Sequence, residues 1–194
     1  MNAVAVGALP DGTPVIVSGG KDATVRVWRL AGGTRVGHPL RGHTHSVPNG
    51  HKIAFESNRG GYVCAVWVMN ANGGAVKRLT DPNLEANSPD WSPDGTRILF
   101  GTNCDRPRSQ IWVMNADGGS PHPLTHMPPH GDAPTASYSP DGHKIVLLTN
   151  LNQLIHPTLC CWDLYVMNPD GTHLHLITTQ DAGVTSADWG PRTR

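Results

Sequence analysis

The sequence predicts an all-β protein: a β-propeller of about four four-stranded blades, with three forms of ring open to it, a strained closed one, an incomplete or open arc, or one completed by a second copy. Three observations carry this. A unit repeats along the chain at a spacing of 45, 47 and 51 residues, measured between Pro48, Pro93, Pro140 and Pro191. Its copies hold tight-turn motifs built on Pro-Asp-Gly, Pro-Asn-Gly or Ala-Asp-Gly. No stretch carries a helical hydrophobic period.

The unit can be read strand by strand. Trp91–Asn103 (WSPDGTRILFGTN) is echoed by Tyr138–Asn150 (YSPDGHKIVLLTN) and by Pro48–Asn58, and a worn fourth copy begins at Asp188–Pro191. In PDG, proline sets φ and the Asp-Gly pair supplies the positive φ of a tight hairpin turn. KIAFES, RILFGT and KIVLLT after these turns are apolar runs of strand length. VWVMNANGG (Val66–Gly74), IWVMNADGG (Ile111–Gly119) and LYVMNPDGT (Leu164–Thr172) give the third strand and a second turn. KRLT, HPLT and HLIT, ending at Thr80, Thr125 and Thr178, close each unit as its outer strand. SPDW, TASY and SADW, just before the turns, make the entering inner strand.

Strand faces separate this from other all-β folds. Ile111 and Val113 point one way, Trp112 and Met114 the other, and all four are apolar. A sheet with one wet face alternates apolar with polar residues, whereas a sheet held between two similar sheets does not. A β-sandwich is the alternative, and it has no need of near-identical motifs at this spacing. The recurrence of Trp28, Trp67, Trp112 and Trp162 in or beside third strands favours blade-to-blade packing over a sugar platform.

Composition sets limits on function. Fifteen basic and 15 acidic residues cancel, so there is no basic footprint for nucleic acid. No apolar stretch approaches the length of a membrane span. The first residues, MNAVAVGALPDG, lack the basic and apolar regions of a signal peptide, which makes the cytoplasm the default location and the periplasm the alternative if the N-terminus is truncated. Cys64, Cys104, Cys160 and Cys161 form no CxxC pair and are expected as free thiols. There is no GxSxG elbow and no phosphate-binding glycine loop, so neither catalysis nor a cofactor is expected.

The pattern (W/Y)SPDGxxIxF…IWVMNADGG…LT, from about Pro48 to Pro191, resembles the TolB-type propeller repeat. The segment before it differs. Val17–Leu30 (VSGGKDATVRVWRL) followed by Leu40–Val47 (LRGHTHSV) resembles a WD-repeat blade, with Gly42-His43 in place, Lys21-Asp22 in the expected turn, and Trp28-Arg29 where Trp-Asp is usual. Two regions of one continuous propeller follow: a WD-repeat-like blade at 1–47 and TolB-like blades at 48–194. Two defects are expected. Val47 runs straight into Pro48, shortening the second blade's inner strand to about His43–Val47, and Val184–Trp189 is an inner strand with no blade of its own. A second copy completing the ring is one resolution.

Both resemblances imply a scaffold that binds a protein partner, and the TolB likeness implies a periplasmic one. In an antiparallel meander the inner–second and third–outer turns share one end of the blade. These are short here. The long, irregular connections gather at the other end, where binding residues favour loops held by a rigid scaffold. That face carries the candidate binding residues Arg59, Arg106, Arg108, His126, His130, Asp132 and His156. His122, His126 and His130 have helical spacing, but Pro121, Pro123, Pro128 and Pro129 forbid a helix there. With Asp132 they could gather a divalent metal, which is the alternative of a metal-dependent, lyase-like carbohydrate-active propeller. The last alternative is a propeller fragment without independent function.

Overall fold

The computed structural model describes residues 4–8, 14–19, 24–29, 35–41, 43–45, 52–58, 64–70, 74–81, 83–102, 108–155, 162–178, 184 and 189. Among the described residues, sixteen strands form four antiparallel sheets of four strands, each a meander in chain order. Blade 1 holds β1 (Val4–Ala8), β2 (Pro14–Gly19), β3 (Thr24–Arg29) and β4 (Arg35–Arg41). Blade 2 holds β5 (His43–His45), β6 (Lys52–Ser57), β7 (Ala65–Asn70) and β8 (Lys77–Arg78). Blade 3 holds β9 (Ala86–Trp91), β10 (Arg97–Thr102), β11 (Ile111–Asn115) and β12 (His122–Pro123). Blade 4 holds β13 (Thr135–Tyr138), β14 (Ile145–Thr149), β15 (Asp163–Met167) and β16 (His175–Leu176).

The expected four-stranded units are all present, and β5 has the short form that the Val47–Pro48 junction requires. The inner strands stitch neighbours together: β5 packs against β1, β2, β3 and β9, while β9 packs against β13.

Turn chemistry explains the meander. In blade 3 the Ser92 carbonyl accepts from Gly95 N–H at 2.8 Å, and the Ser92 hydroxyl accepts from Arg97 N–H at 2.9 Å. Blade 4 repeats both bonds, Gly142 to Ser139 at 2.8 Å and Lys144 to the Ser139 hydroxyl at 2.9 Å. Gly95 and Gly142 sit at φ 71° and 73°, the left-handed region that glycine enters without a Cβ clash.

The closing Thr has a role that its motif alone did not disclose. Its hydroxyl accepts an N–H at the start of the third strand, from Val66 to Thr80 at 3.1 Å, Ile111 to Thr125 at 2.9 Å and Leu164 to Thr178 at 3.2 Å. The outer strands can therefore be two residues long and still leave no orphan donor at that position.

The apolar faces pack as the strand reading expects. Ile98, Phe100 and Met114 join Ala54, Val66, Val68, Ala86 and Trp91 in the core between blades 2 and 3. Leu99, Ile111 and Val113 face the other way, against Ala136, Tyr138, Ile145, Leu147, Tyr165 and Met167 of blade 4. Phe100 and Trp112, opposite one another across β10 and β11, add an aromatic contact with ring centroids 6.3 Å apart.

Three expectations need correction or completion. Residues expected as loop after Asn150 include one short helix, α1 (Leu151–Ile155), where Leu154 N–H reaches the Asn150 carbonyl at 3.4 Å. The expected free thiols are overturned at Cys64, which is disulfide-bonded. Its partner, one of Cys104, Cys160 and Cys161, lies outside the described residues, as do Lys21, Asp22 and Gly42 of the WD-like signature. The segment Val184–Trp189 is described only at its ends. Val184 N–H donates to the Trp162 carbonyl at 3.2 Å, the same bond that Ala86 makes to Cys64 and Ala133 to Ser109 as each inner strand begins. Trp189 Nε1–H donates to the Ser137 carbonyl on β13 at 3.2 Å. The two described ends of the segment are thus each tied to blade 4, one beside β15 and the other on β13.

Candidate functional site

The long-loop end of blades 3 and 4 is built from three junctions: residues 108–110 leading into β11, residues 124–134 between the blades, and residues 150–155 after β14. Side chains tie them together. The Asp132 carboxylate accepts from Ser109 N–H at 2.6 Å and from the Ser109 hydroxyl. Asn150 takes Asp132 N–H on its amide oxygen at 2.7 Å and donates its amide nitrogen to the His130 carbonyl at 3.0 Å. The Gln110 amide oxygen accepts from the Thr125 hydroxyl at 3.0 Å and from Met127 N–H at 2.9 Å. Below them Met127 and Leu151 pack on the core shared by the two blades.

These bonds satisfy loop backbone groups that would otherwise need water, and they join elements far apart in the chain. The loops form a fixed platform. Asn152, 6% exposed on α1, contributes an amide nitrogen with no hydrogen-bond partner.

The candidate residues fall into three groups. Arg59, Arg106 and His156 lie outside the described residues. Arg108, His126 and His130 are exposed on the platform, Arg108 and His130 in left-handed backbone at φ 79° and 68°. Asp132 is half-buried and acts as the clasp to Ser109.

The histidine series behaves as its prolines dictate. No helix forms there, and His122, on the exposed outer strand, donates Nδ1–H to the Ser120 carbonyl at 2.9 Å. Among the described residues no three His, Cys, Asp or Glu side chains converge on a metal-sized site, so His122, His126, His130 and Asp132 do not form the expected alternative cluster.

Gln110, Ser109 and Asn150 were not singled out by sequence reasoning, yet they hold the platform. One signal was present: Asn58, Asn103 and Asn150 recur after the second strand of their units.

The repeated turns, the Thr closures and the blade-to-blade cores extend through the region matched by one known family, described as the TolB beta propeller domain, over residues 18–160. The chain belongs to that family. The match begins inside the segment whose motifs resemble a WD-repeat blade. Among curated proteins, the Tol-Pal system protein TolB of Anaeromyxobacter dehalogenans is 33% identical over 88 residues, which is 42% of this chain and 20% of that protein. The aligned region thus spans about a fifth of that relative's length.

Solved structures show the same fold. A putative TolB from Agrobacterium tumefaciens superposes with a TM-score of 0.69 at 22% identity, over 92% of this chain and 62% of that one. Puromycin hydrolase superposes with a TM-score of 0.63 at 18% identity, over 89% of this chain and 30% of that one. At these identities the likeness is one of fold.

Proposed function

We propose that this TolB-like propeller is a non-catalytic scaffold that binds a protein partner on the long-loop face of blades 3 and 4. One observation carries the reading: the Asp132–Ser109, Asn150–His130 and Gln110–Met127 bonds lock three separate junctions into one surface before any partner arrives. A preorganised surface loses less ordering entropy on association than mobile loops do. Arg108, His126 and His130 stand on it as the polar contacts.

The partner favoured by the likeness is a component of a Tol-Pal system, as named for the curated relative. An oxidising compartment such as the periplasm is favoured over the cytoplasm expected from the first residues, because the disulfide at Cys64 is stable there. The puromycin hydrolase likeness spans 30% of that protein and supports the fold rather than a peptidase activity.

Calorimetry of the full chain with purified Pal tests this reading. Binding is expected, with affinity falling about tenfold or more in a combined Arg108→Glu, His130→Ala variant that melts like the parent. No binding, or binding unchanged by those substitutions, counts against it.

A further inference from the structure

Where blade 3 meets blade 4, side chains hold the long-loop end together. Ser109, at the start of the third strand of blade 3, donates to the Asp132 carboxylate, and Asp132 N–H donates to Asn150 Oδ1 just past the second strand of blade 4. Blades 2 and 3 meet in the same register. Cys64 holds the place of Ser109: its carbonyl accepts from Ala86 N–H at 3.0 Å, as that of Ser109 accepts from Ala133 at 3.1 Å. Glu85 precedes Ala86 as Asp132 precedes Ala133, and Asn103 follows Thr102 as Asn150 follows Thr149. The blade 2 position differs in chemistry. It is a cysteine where blade 3 has a serine, and that cysteine is disulfide-bonded.

Three cysteines are available as its partner, and the described strands separate them. Ala86, which donates to Cys64, is the register partner of Thr102 across β9 and β10. Opposed residues of an antiparallel pair lie about 5 Å apart, and two further residues of chain span at most about 7 Å. Cys104 is two positions after Thr102, so its chain is tethered beside the strand that Cys64 touches. Cys160 and Cys161 are tethered elsewhere. They come two and one positions before Trp162, whose carbonyl accepts Val184 N–H and which is the blade 4 counterpart of Cys64. Blade 3 stands between those counterparts, with an apolar core on each side. Facing sheets pack about 10 Å apart, so two such steps separate the counterparts by about 20 Å. Two residues of chain recover about 7 Å of that distance. A disulfide needs Cα atoms within about 7 Å, and from blade 4 neither cysteine reaches.

We infer that Cys64 is bonded to Cys104, and that this bond is the covalent counterpart, between blades 2 and 3, of the Ser109–Asp132–Asn150 clasp between blades 3 and 4. Its formation takes two protons and two electrons from the two thiols. An oxidising disulfide accepts them and leaves as two thiols. The two seams of the long-loop end therefore differ in what undoes them. In a reducing compartment the blade 2–3 seam loses its covalent tie, while the hydrogen-bonded seam between blades 3 and 4 is unchanged.

The full chain, refolded with oxidised glutathione, is digested without reductant and its linked peptides are read by mass spectrometry. A pair joining Cys64 to Cys104 is expected. The double variant Cys160→Ser, Cys161→Ser should keep that pair, and Cys104→Ser should leave Cys64 as a free thiol. Hydrogen exchange reads the seam itself: in Cys104→Ser, protection of Ala86 N–H should fall about tenfold while that of Ala133 N–H changes less than about twofold. If Cys104→Ser folds poorly, the double variant carries the test, because its remaining cysteines are Cys64 and Cys104. A bond from Cys64 to Cys160 or Cys161 in the parent, loss of the Cys64 bond in the double variant, or an equal change at Ala86 and Ala133 overturns the proposal.

Discussion

The carboxylate of Asp90, at the end of the inner strand of blade 3, accepts a hydrogen bond at 2.8 Å from the backbone N–H of Tyr138 in blade 4. The bond fastens the inner strand of blade 3 to that of blade 4. Asp90→Ala leaves that N–H unpaired beside the core, a loss of about 1–3 kcal/mol. Asp90→Asn keeps an oxygen acceptor and loses less. Urea unfolding of the three proteins should rank parent, Asn and Ala in falling order of midpoint.

The disulfide at Cys64 makes a covalent prediction. Non-reducing peptide mapping should link Cys64 to Cys104, Cys160 or Cys161. Reduction should lower stability by about 2–4 kcal/mol, read as a fall in melting temperature. Complete alkylation of Cys64 without reductant would remove the bond from the native structure.

Gly171 lies at φ 83°, and a Cβ there would come within 2.5 Å of the Leu124 carbonyl oxygen of the preceding blade. Gly118 makes the equivalent approach to the Leu79 carbonyl at 3.0 Å. Both alanine variants incur a left-handed backbone cost of about 1–2 kcal/mol. Gly171→Ala adds a clash with backbone that cannot turn aside, so denaturant melts should show it to be the less stable.

Thr125 closes blade 3 by accepting Ile111 N–H and donating to Gln110. Thr125→Val conserves shape and removes both bonds, with an expected loss of about 1–3 kcal/mol. Thr125→Ser retains them and should recover most of the difference in a thermal melt.

Asp94 is held below the usual carboxylate value of 3.8, first by the Ser92 hydroxyl and then by Thr96 N–H, with burial opposing. A carboxyl with a lowered folded-state pKa stabilises the fold above its unfolded value and loses that contribution as pH falls through the folded one. The melting-temperature gap between the parent and Asp94→Asn should therefore stay level from neutral pH to about pH 5, then narrow below the unfolded value. A gap that widens on acidification contradicts the assigned bonds.

Much of the fold was legible because its determinants are local and repeated. PDG and ADGG specify turns within a few residues, and the two apolar faces of IWVMN specify a sheet with neighbours on both sides. The short β5 was legible from the missing residues between Val47 and Pro48. The platform was legible only in outline, since Asp132 meets Ser109 across 23 positions and Asn150 meets His130 across 20. Spacing does not encode such meetings, so Asp132 read as an exposed contact when its carboxylate serves as a clasp. The Cys64 bond escaped for the same reason.

One bond recurs at three junctions among the described residues: Ala86 to Cys64, Ala133 to Ser109, Val184 to Trp162. Synthesis proceeds from the N-terminus, and what has emerged folds ahead of what has not. Each finished third strand is then a berth already waiting when the next stretch leaves the ribosome. Order of translation and order of assembly coincide, and a gene that gains one more copy of the unit adds a blade with its mooring supplied.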